Sequence, residues 1–262
     1  MFSDLHAHLN DPKFDGEENE VAEDCIRARV GIVVNAGYDM KSSEKALMLS
    51  EKFPFMYFTA GIHPDNAAEL DEKNEKRLRE MLSHPKCIGV GEIGYDFHWN
   101  VYPREMQERA FVRQAELAAE EGIPFVVHSR EASAATMKTL KEHKDLLHNG
   151  FVLHCYAESA ESAKEYLKLG AYFTFGGVIT FKNAKKDDII RSIPLSRVMT
   201  ETDSPYLAPH PLRGTLNTPA NIPLIAEKLA SVYGVTAEDI GRETEKNAKN
   251  LFKRLQDGHD HL

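Results

Sequence analysis

The chain is poor in thiols, with three cysteines (Cys25, Cys87 and Cys155) in 262 residues. They form no Cys-x-x-Cys pair, and an odd number cannot all pair within one chain, which excludes a disulfide framework and a thiolate zinc knuckle. No apolar run approaches membrane-spanning length, which excludes a spanning helix of ordinary hydropathy. There is no Ser-, Gly- or Pro-rich linker, no low-complexity tract and no repeat at a fixed period, so one domain is expected over residues 1–262. Positive charge is the minority: 32 Lys and Arg stand against 41 Asp and Glu, a formal charge of −9. That excludes coating nucleic acid by nonspecific neutralisation. It does not exclude a nucleic-acid substrate, because an enzyme working at one strand end needs few local cations, and bound divalent metals add charge that a residue count omits. The first residues lack the basic and apolar regions of a secretory signal. A cytoplasmic protein with no membrane association and no obligate protein partner is the expectation.

Hydrophobic residues make up 42% of the chain, enough for a large core. Their spacing alternates between two periods. Val21, Ala22, Cys25, Ile26 and Ala28 recur at largely helical spacing, and the unbroken run from Gly31 to Gly37 that follows reads as a buried strand. Continued along the chain, this predicts strands near 2–8, 31–37, 55–60, 87–96, 123–128, 150–154, 171–175 and 197–203. The intervening helices are predicted near 17–29, 42–52, 71–83, 103–121, 131–143, 159–169 and 184–193, with two more near 219–233 and 237–255. Gly122 and Gly170 are expected helix stops, and Thr236 is an expected cap. Eight mostly unbroken strands alternating with helices describe a parallel sheet covered by helices, best closed as a (β/α)8 TIM-type barrel.

In such barrels chemistry sits at the C-terminal ends of the strands. His6, His8, His63, Glu92, His128, His154 and Asp203 all fall there. Polar residues terminate many buried strands, but a random set would mix Ser, Thr, Asn and Lys, whereas this one is wholly His and carboxylate. Nitrogen and oxygen donors without thiolate suit Zn²⁺, Mn²⁺ or, where carboxylates dominate, Mg²⁺. Six candidate ligands exceed the needs of one open tetrahedral ion, so two divalent ions are expected. His6, His8 and Asp203 would hold one and His128 and His154 the other, with Glu92 bridging. Asp203 is the expected base for a metal-activated water, and Glu92 belongs with it to the catalytic set.

The ordered motifs Asp4-x-His6-x-His8, Gly61-Ile-His-Pro64, Gly91-Glu-Ile-Gly-Tyr-Asp96, His128-Ser-Arg130, His154-Cys-Tyr156 and Thr200-Glu-Thr-Asp-Ser-Pro-Tyr-Leu207 resemble those of the TatD-type metal-dependent deoxyribonucleases. The resemblance runs from residue 2 to about 253. It implies an amidohydrolase-type barrel with DNase activity, often exonucleolytic from the 3′ end and here on single-stranded DNA ends. It makes His6, His8, Glu92, His128, His154 and Asp203 metal ligands. It sets His63 and Arg130 against the scissile phosphate and makes Glu201 a residue that orients a ligand or substrate group. Arg213-Gly-Thr-Leu-Asn-Thr-Pro219 resembles a family loop in which Glu usually precedes the Pro. Thr218 stands there instead, while Arg213 remains a phosphate partner.

Blander readings stand beside these. Each His can be a buried imidazole satisfied by carbonyls, and Arg130 and Arg213 can be ordinary salt-bridge partners. Tyr95, Asp96 and Tyr206 are explained as well by capping or packing as by substrate contact. Tyr95, Phe97, Trp99 and Tyr156 are available to stack unpaired bases. His98, His143, His148, His210, His259 and His261 read as surface residues, and 257–262 as a frayed tail. Two other functions compete: amide or ester hydrolysis on a small molecule, an aminoacyl-tRNA ester included, and a metal-dependent interaction protein without turnover. Many amidohydrolases bridge their metals with a carboxylated Lys from the fourth strand; Glu92 occupies that place here, which favours the nuclease branch.

Overall fold

In the computed structural model of the chain, which describes residues 1–255, each predicted strand and helix is present. The readings of the tail 257–262, His259 and His261 lie outside the described residues. The strands are β1 (Phe2–Ala7), β2 (Val30–Ala36), β3 (Met56–Ala60), β4 (Cys87–Asp96), β5 (Phe125–Arg130), β6 (Phe151–Leu153), β7 (Tyr172–Phe175) and β8 (Val198–Thr200). Between them run α1 (Glu18–Arg27), α2 (Met40–Lys52), α3 (Glu72–Leu82), α4 (Arg104–Glu121), α5 (Ser133–Glu142), α6 (Ala160–Lys168) and α7 (Asp187–Arg191). Two further helices, α8 (Ile222–Tyr233) and α9 (Ala237–Leu251), follow β8. No described helix is long and apolar enough to cross a membrane.

The strands pair in parallel in sequence order, making a nearly closed TIM-type barrel. Polar side chains tie the seam between β1 and β8. Thr200 Oγ1 donates to Ser3 O at 2.6 Å, and the buried Asp4 carboxylate accepts from the Thr202 amide at 3.0 Å and from the Thr202 hydroxyl. Asp203 N closes the top of the seam on His6 O at 2.9 Å. Asp4 therefore serves the seam.

Two apolar layers follow from the pleat. Leu5, Ile32, Val34, Tyr57, Ile88, Val126, Val152 and Met199 form one cluster with Ala248, Leu251, Phe252 and Leu255. Val126 and His128 share a face of β5, as Val152 and His154 do along β6 and its extension, so this cluster fills the barrel beneath the imidazoles. The larger cluster packs the other strand faces against the helices. Phe252 and Leu255 are 1% and 0% exposed. Burying both explains why the last helix stops at Leu251 instead of running to Leu255: Lys253–Leu255 tightens into a 3₁₀ turn that points both side chains inward. Arg254 locks that turn, with Nη1 donating to Leu82 O and Cys87 O at 2.6 Å each.

Local signals behave as their chemistry requires. Gly122 caps α4 at φ 67°, and Thr236 forms a reciprocal capping box with Asp239 at the head of α9. The last strand is shorter than predicted: its ladder ends at Thr200, and Asp203 adopts φ 55°, a left-handed conformation that Asp tolerates better than most residues. That kink is what brings the Asp203 carboxylate over the barrel mouth.

Candidate metal centre and active site

The strand ends deliver their side chains to one point. His6 lies on β1 and His8 just beyond it, His128 is on β5, and His154 and Asp203 follow β6 and β8. Glu92 is set into β4 between two glycines that no other residue could replace cheaply. Gly91 has φ 155° and Gly94 has φ 141°, and a Cβ on Gly94 would lie 2.1 Å from His128 O. This close approach lets the Glu92 carboxylate reach the rings of the neighbouring strand. Its Oε1 stands 2.6 Å from His128 Nδ1 and 2.8 Å from His154 Nε2, and its Oε2 stands 3.4 Å from His6 Nε2 and 3.8 Å from His8 Nε2. Asp203 Oδ1 lies 3.3 Å from His8 Nε2 and 3.9 Å from His6 Nε2.

Donor atoms within 4.8 Å of one another define overlapping groups: His6–His8–Asp203, His6–Glu92–His154, His63–Glu92–His128 and His63–Asp65–Asp96. Whether such groups fit a cation is tested by the atoms left without partners. Both ring nitrogens of His6 are buried with no hydrogen bond among the described residues, and its Nε2 is the one that faces the cluster, 3.4 Å from Glu92 Oε2. Such buried orphan nitrogens are costly unless something absent from the protein chain completes them. The set is all nitrogen and oxygen, so it fits divalent metal ions.

The hydrogen-bond partners of each ring decide which nitrogen can face a cation. His8 Nδ1 lies 3.0 Å from Ala36 O, which can only accept, so Nε2, facing Asp203 and Glu92, is the nitrogen that would give up its proton to a cation. His128 Nε2 donates to Asp96 Oδ2 at 3.0 Å, which leaves Nδ1 toward Glu92. His63 is arranged the other way. Its Nδ1 accepts from Asp65 N at 3.1 Å, so its hydrogen is on Nε2, the atom 3.8 Å from Glu92 Oε1.

Charge follows the same geometry. Burial alone would raise Glu92, but His154 and His128 beside it hold the carboxylate well below its usual range. Burial likewise opposes ionisation of Asp203 and is outweighed by His8. Burial disfavours protonated His8 and His128; the carboxylates facing them prevail and push each up to about 9. His63 is pushed down to about 3, first by burial and then by the His128 charge, so it is neutral with one hydrogen.

The structure brings together His6, His8, His63, Glu92, His128, His154 and Asp203, all seven strand-end residues. It does not bring Arg130 or Arg213 into that cluster. Both are exposed, the Arg130 guanidinium 5.5 Å from the Trp99 ring and the Arg213 guanidinium 4.6 Å from the Phe181 ring. Glu201 is fully buried behind His154, accepting from Thr174 Oγ1 and lying 3.8 Å from His154 Nδ1; of its two expected roles, it is out of reach of substrate and within reach of a ring. Among the four aromatics offered for stacking, Tyr95 and Tyr156 are core residues whose hydroxyls are spent on Thr139 Oγ1 and Ser159 O, and Phe97 packs on Tyr95. Trp99, 63% exposed, is the one free to stack. In the loop with Thr218, the buried Asn217 holds the turn by donating to Thr202 O and Tyr206 O at 2.9 and 2.6 Å.

Asp96 was weighed as a substrate contact and as a cap or packing residue, not as the partner of a histidine. It does cap, accepting from the His98 and Trp99 amides at 2.9 Å, but its second oxygen orients His128. Its place four residues after Glu92 on the same strand, hence on one face, was the available signal. Asp65, Asp11, Tyr38 and Tyr206, which line a cavity of about 320 Å³ beside His8, His63 and Glu92, come from four separate loops and share no motif.

With this geometry in hand, the comparisons are specific. Residues 3–253 match the TatD related DNase family. An uncharacterized metal-dependent hydrolase of Bacillus subtilis, YabD, is 37% identical over 254 residues, 97% of this chain and 99% of that protein. The 3′-5′ ssDNA/RNA exonuclease TatD of Enterobacter lignolyticus is 31% identical over 255 residues, 95% of this chain and 98% of that protein. Among solved structures, the TatD homolog YJJV of Escherichia coli superposes with a TM-score of 0.88 at 26% identity, covering 96% of this chain and 98% of that one.

Proposed function

The chain belongs to the TatD related DNase family and is a metal-dependent hydrolase; on that premise we propose that it is a two-metal phosphodiesterase removing nucleotides from single-stranded DNA ends. The observation that carries this reading is Glu92, whose two oxygens face different imidazole sets: Oε1 toward His128 and His154, Oε2 toward His6 and His8. One carboxylate between two sets of nitrogens is what a bridged pair of ions requires. In this proposal His6, His8 and Asp203 would hold one Mg²⁺, Mn²⁺ or Zn²⁺ ion and His128 and His154 the other, with Glu92 serving both.

Divalent ions bound there supply Lewis acidity and bring the pKa of a water toward neutrality. The chain's own residues supply the rest. Asp203, held ionised and with its side chain 18% exposed, can reach substrate and accepts the proton of the attacking water. As the water oxygen bonds to phosphorus, the bond to the leaving sugar oxygen breaks, and that oxygen takes up, through solvent, the proton that Asp203 accepted. His63, neutral and with its hydrogen on Nε2, donates a hydrogen bond to the phosphate rather than ligating an ion. Glu201 orients His154 from behind. Arg130 and Arg213 act at the mouth on more distant phosphates, each carried on an aromatic face that can also stack a base.

The test is degradation of an end-labelled single-stranded oligonucleotide by chelator-stripped protein with Mg²⁺, Mn²⁺ or Zn²⁺ restored, beside Glu92→Ala. Laddering from one end that needs metal and is absent in the variant is the expected result. Protein that binds two ions yet cuts no DNA or RNA would turn the reading to a small-molecule or aminoacyl ester.

A further inference from the structure

The cavity beside the proposed metal centre has an acidic wall. Asp11 and Asp65 line it, with Tyr38, Asn66 and Tyr206, and no Lys or Arg is among its described lining residues. The nearby cations are held by other groups: Lys13 Nζ lies 4.2 Å from the Tyr206 ring centroid, Lys45 Nζ donates to Asp11 O at 3.4 Å, and Arg130 and Arg213 sit on Trp99 and Phe181. The two carboxylates differ in what they are free to do. Asp11 is engaged, accepting from Lys13 N at 2.8 Å and from the Tyr206 hydroxyl at 3.2 Å. The Asp65 side chain, 25% exposed, accepts no hydrogen bond from any described residue. Its neighbour, the neutral His63 with Nδ1 3.7 Å from Oδ2, already spends its lone pair on the Asp65 amide and carries no hydrogen there to offer. An acceptor at a cavity wall with no donor of its own is a place for a ligand's donor.

We propose that Asp65, backed by Asp11, is the specificity-determining residue that admits a strand end with a free terminal hydroxyl and rejects one that continues or ends in phosphate. The proposal rests on the phosphodiesterase reading and deepens it. A nucleoside inside a strand carries phosphate on both sides, whereas a terminal one carries it on one side only. With that one phosphate against His63, the free side of the same sugar falls beside Asp65, whose Oδ2 is 3.7 Å from His63 Nδ1. A hydroxyl there donates to the Asp65 carboxylate. A second phosphate would set its charge beside the Asp65 and Asp11 carboxylates, with no Lys or Arg among the cavity's described lining residues, which repels it. The cavity, two tyrosine rings on its walls, has room for one terminal nucleoside between them.

The experiment uses the full chain loaded with Mn²⁺ and single-stranded DNA carrying a hydroxyl or a phosphate at each end in turn, with a circular strand as a third substrate. Wild type is expected to cut the hydroxyl-terminated strand about ten- to a hundredfold faster than the phosphorylated one, the range of a hydrogen bond to a charged group. Asp65→Asn should erase most of that ratio, chiefly through a lower KM for the phosphorylated strand, and Asp11→Asn, which preserves the turn cap, should erase part of it. An Asp65→Asn enzyme that cuts with an unchanged ratio overturns the proposal alone. So does an Asp65→Asn protein that has lost a bound ion by elemental analysis, since Asp65 would then be a ligand with His63 and Asp96. A wild type inert on every strand overturns the phosphodiesterase reading, and this proposal with it.

Discussion

Asp96→Asn isolates the step on which the proposed metal centre depends, the orientation of a ring that an ion needs as a ligand. Asp96 is 1% exposed, and its oxygens divide their work: Oδ1 accepts from the His98 and Trp99 amides at 2.9 Å, Oδ2 from His128 Nε2 at 3.0 Å. Asparagine keeps the shape and the two amide bonds but turns an NH₂ toward His128 Nε2. Two donors cannot share that contact, so the ring shifts its hydrogen to Nδ1, the nitrogen 2.6 Å from Glu92. Turning the amide over instead abandons the loop amides. Either way metal affinity should fall about 10- to 100-fold, the usual cost of losing such a partner. At about 1.4 kcal/mol per decade this is roughly 1.4 to 3 kcal/mol. Competition against a chromophoric zinc chelator at constant pH measures it, with circular dichroism to confirm folding. A folded variant with wild-type affinity for both ions would refute the assignment of His128 Nδ1 as a ligand atom.

Three further outcomes follow from the packing and the charges. Phe252→Ala empties the barrel beneath the imidazoles, where Phe252 is 1% exposed, and should cost about 3 to 5 kcal/mol in urea unfolding. Trp99→Ala or Tyr206→Ala, at 63% and 47% exposed, should leave the fold intact and weaken single-strand binding by about 1 to 3 kcal/mol per lost stack, read by fluorescence anisotropy at fixed salt. Glu44 is held below its ordinary value of 4.5 chiefly by the Arg77 guanidinium, so the pair stabilises the fold above about 4.5 and loses that contribution as pH falls through the depressed value. Both partners are 41% exposed, so Arg77→Met should lower Tm by no more than about 2 to 4 °C at neutral pH, equivalent to at most about 1 kcal/mol, and by progressively less as the pH is lowered through the depressed value; a loss that does not shrink with falling pH would refute the charge account.

The order and type of every strand and helix were legible because a parallel barrel buries both faces of each strand, leaving uninterrupted apolar runs that stand out from amphipathic helices. Boundaries were less legible where tertiary contacts decide them. Arg197–Asp203 reads as one strand, yet Thr202 leaves the ladder because the buried Asp4 carboxylate captures its amide and hydroxyl across the seam. Nothing near Thr202 announces a partner 198 residues away. The seven strand-end residues of the site were legible for a geometric reason: barrel closure converts position along a strand into position in space, so a His or carboxylate at the end of each strand has one destination. Loop residues have no such rule, which is why Asp11, Tyr38 and Asp65 could be found only in the folded molecule, and why Tyr95 and Tyr156, aromatics beside the motifs, turned out to face the core.

His63 shows what lies between these cases. By sequence it is one more histidine at a strand end, indistinguishable in type from His128. What separates them is the atom behind each ring. A carboxylate behind His128 can only accept, which frees its inner nitrogen as a lone-pair donor; a backbone amide behind His63 can only donate, which commits its inner nitrogen to carrying hydrogen. The amide is there because Pro64 opens a 3₁₀ turn and His63 caps it, with Asp65 N as the turn's unsatisfied donor. A turn signal in Gly-Ile-His-Pro thus has a chemical consequence. The proline that ends the third strand also determines that the histidine before it presents a proton rather than a lone pair to the site. In the proposed two-ion centre a seventh ligand at that position, its fifth nitrogen, would crowd ions that six residues already supply, whereas a neutral N–H there meets the one requirement those six leave open, a hydrogen-bond donor for the anionic substrate.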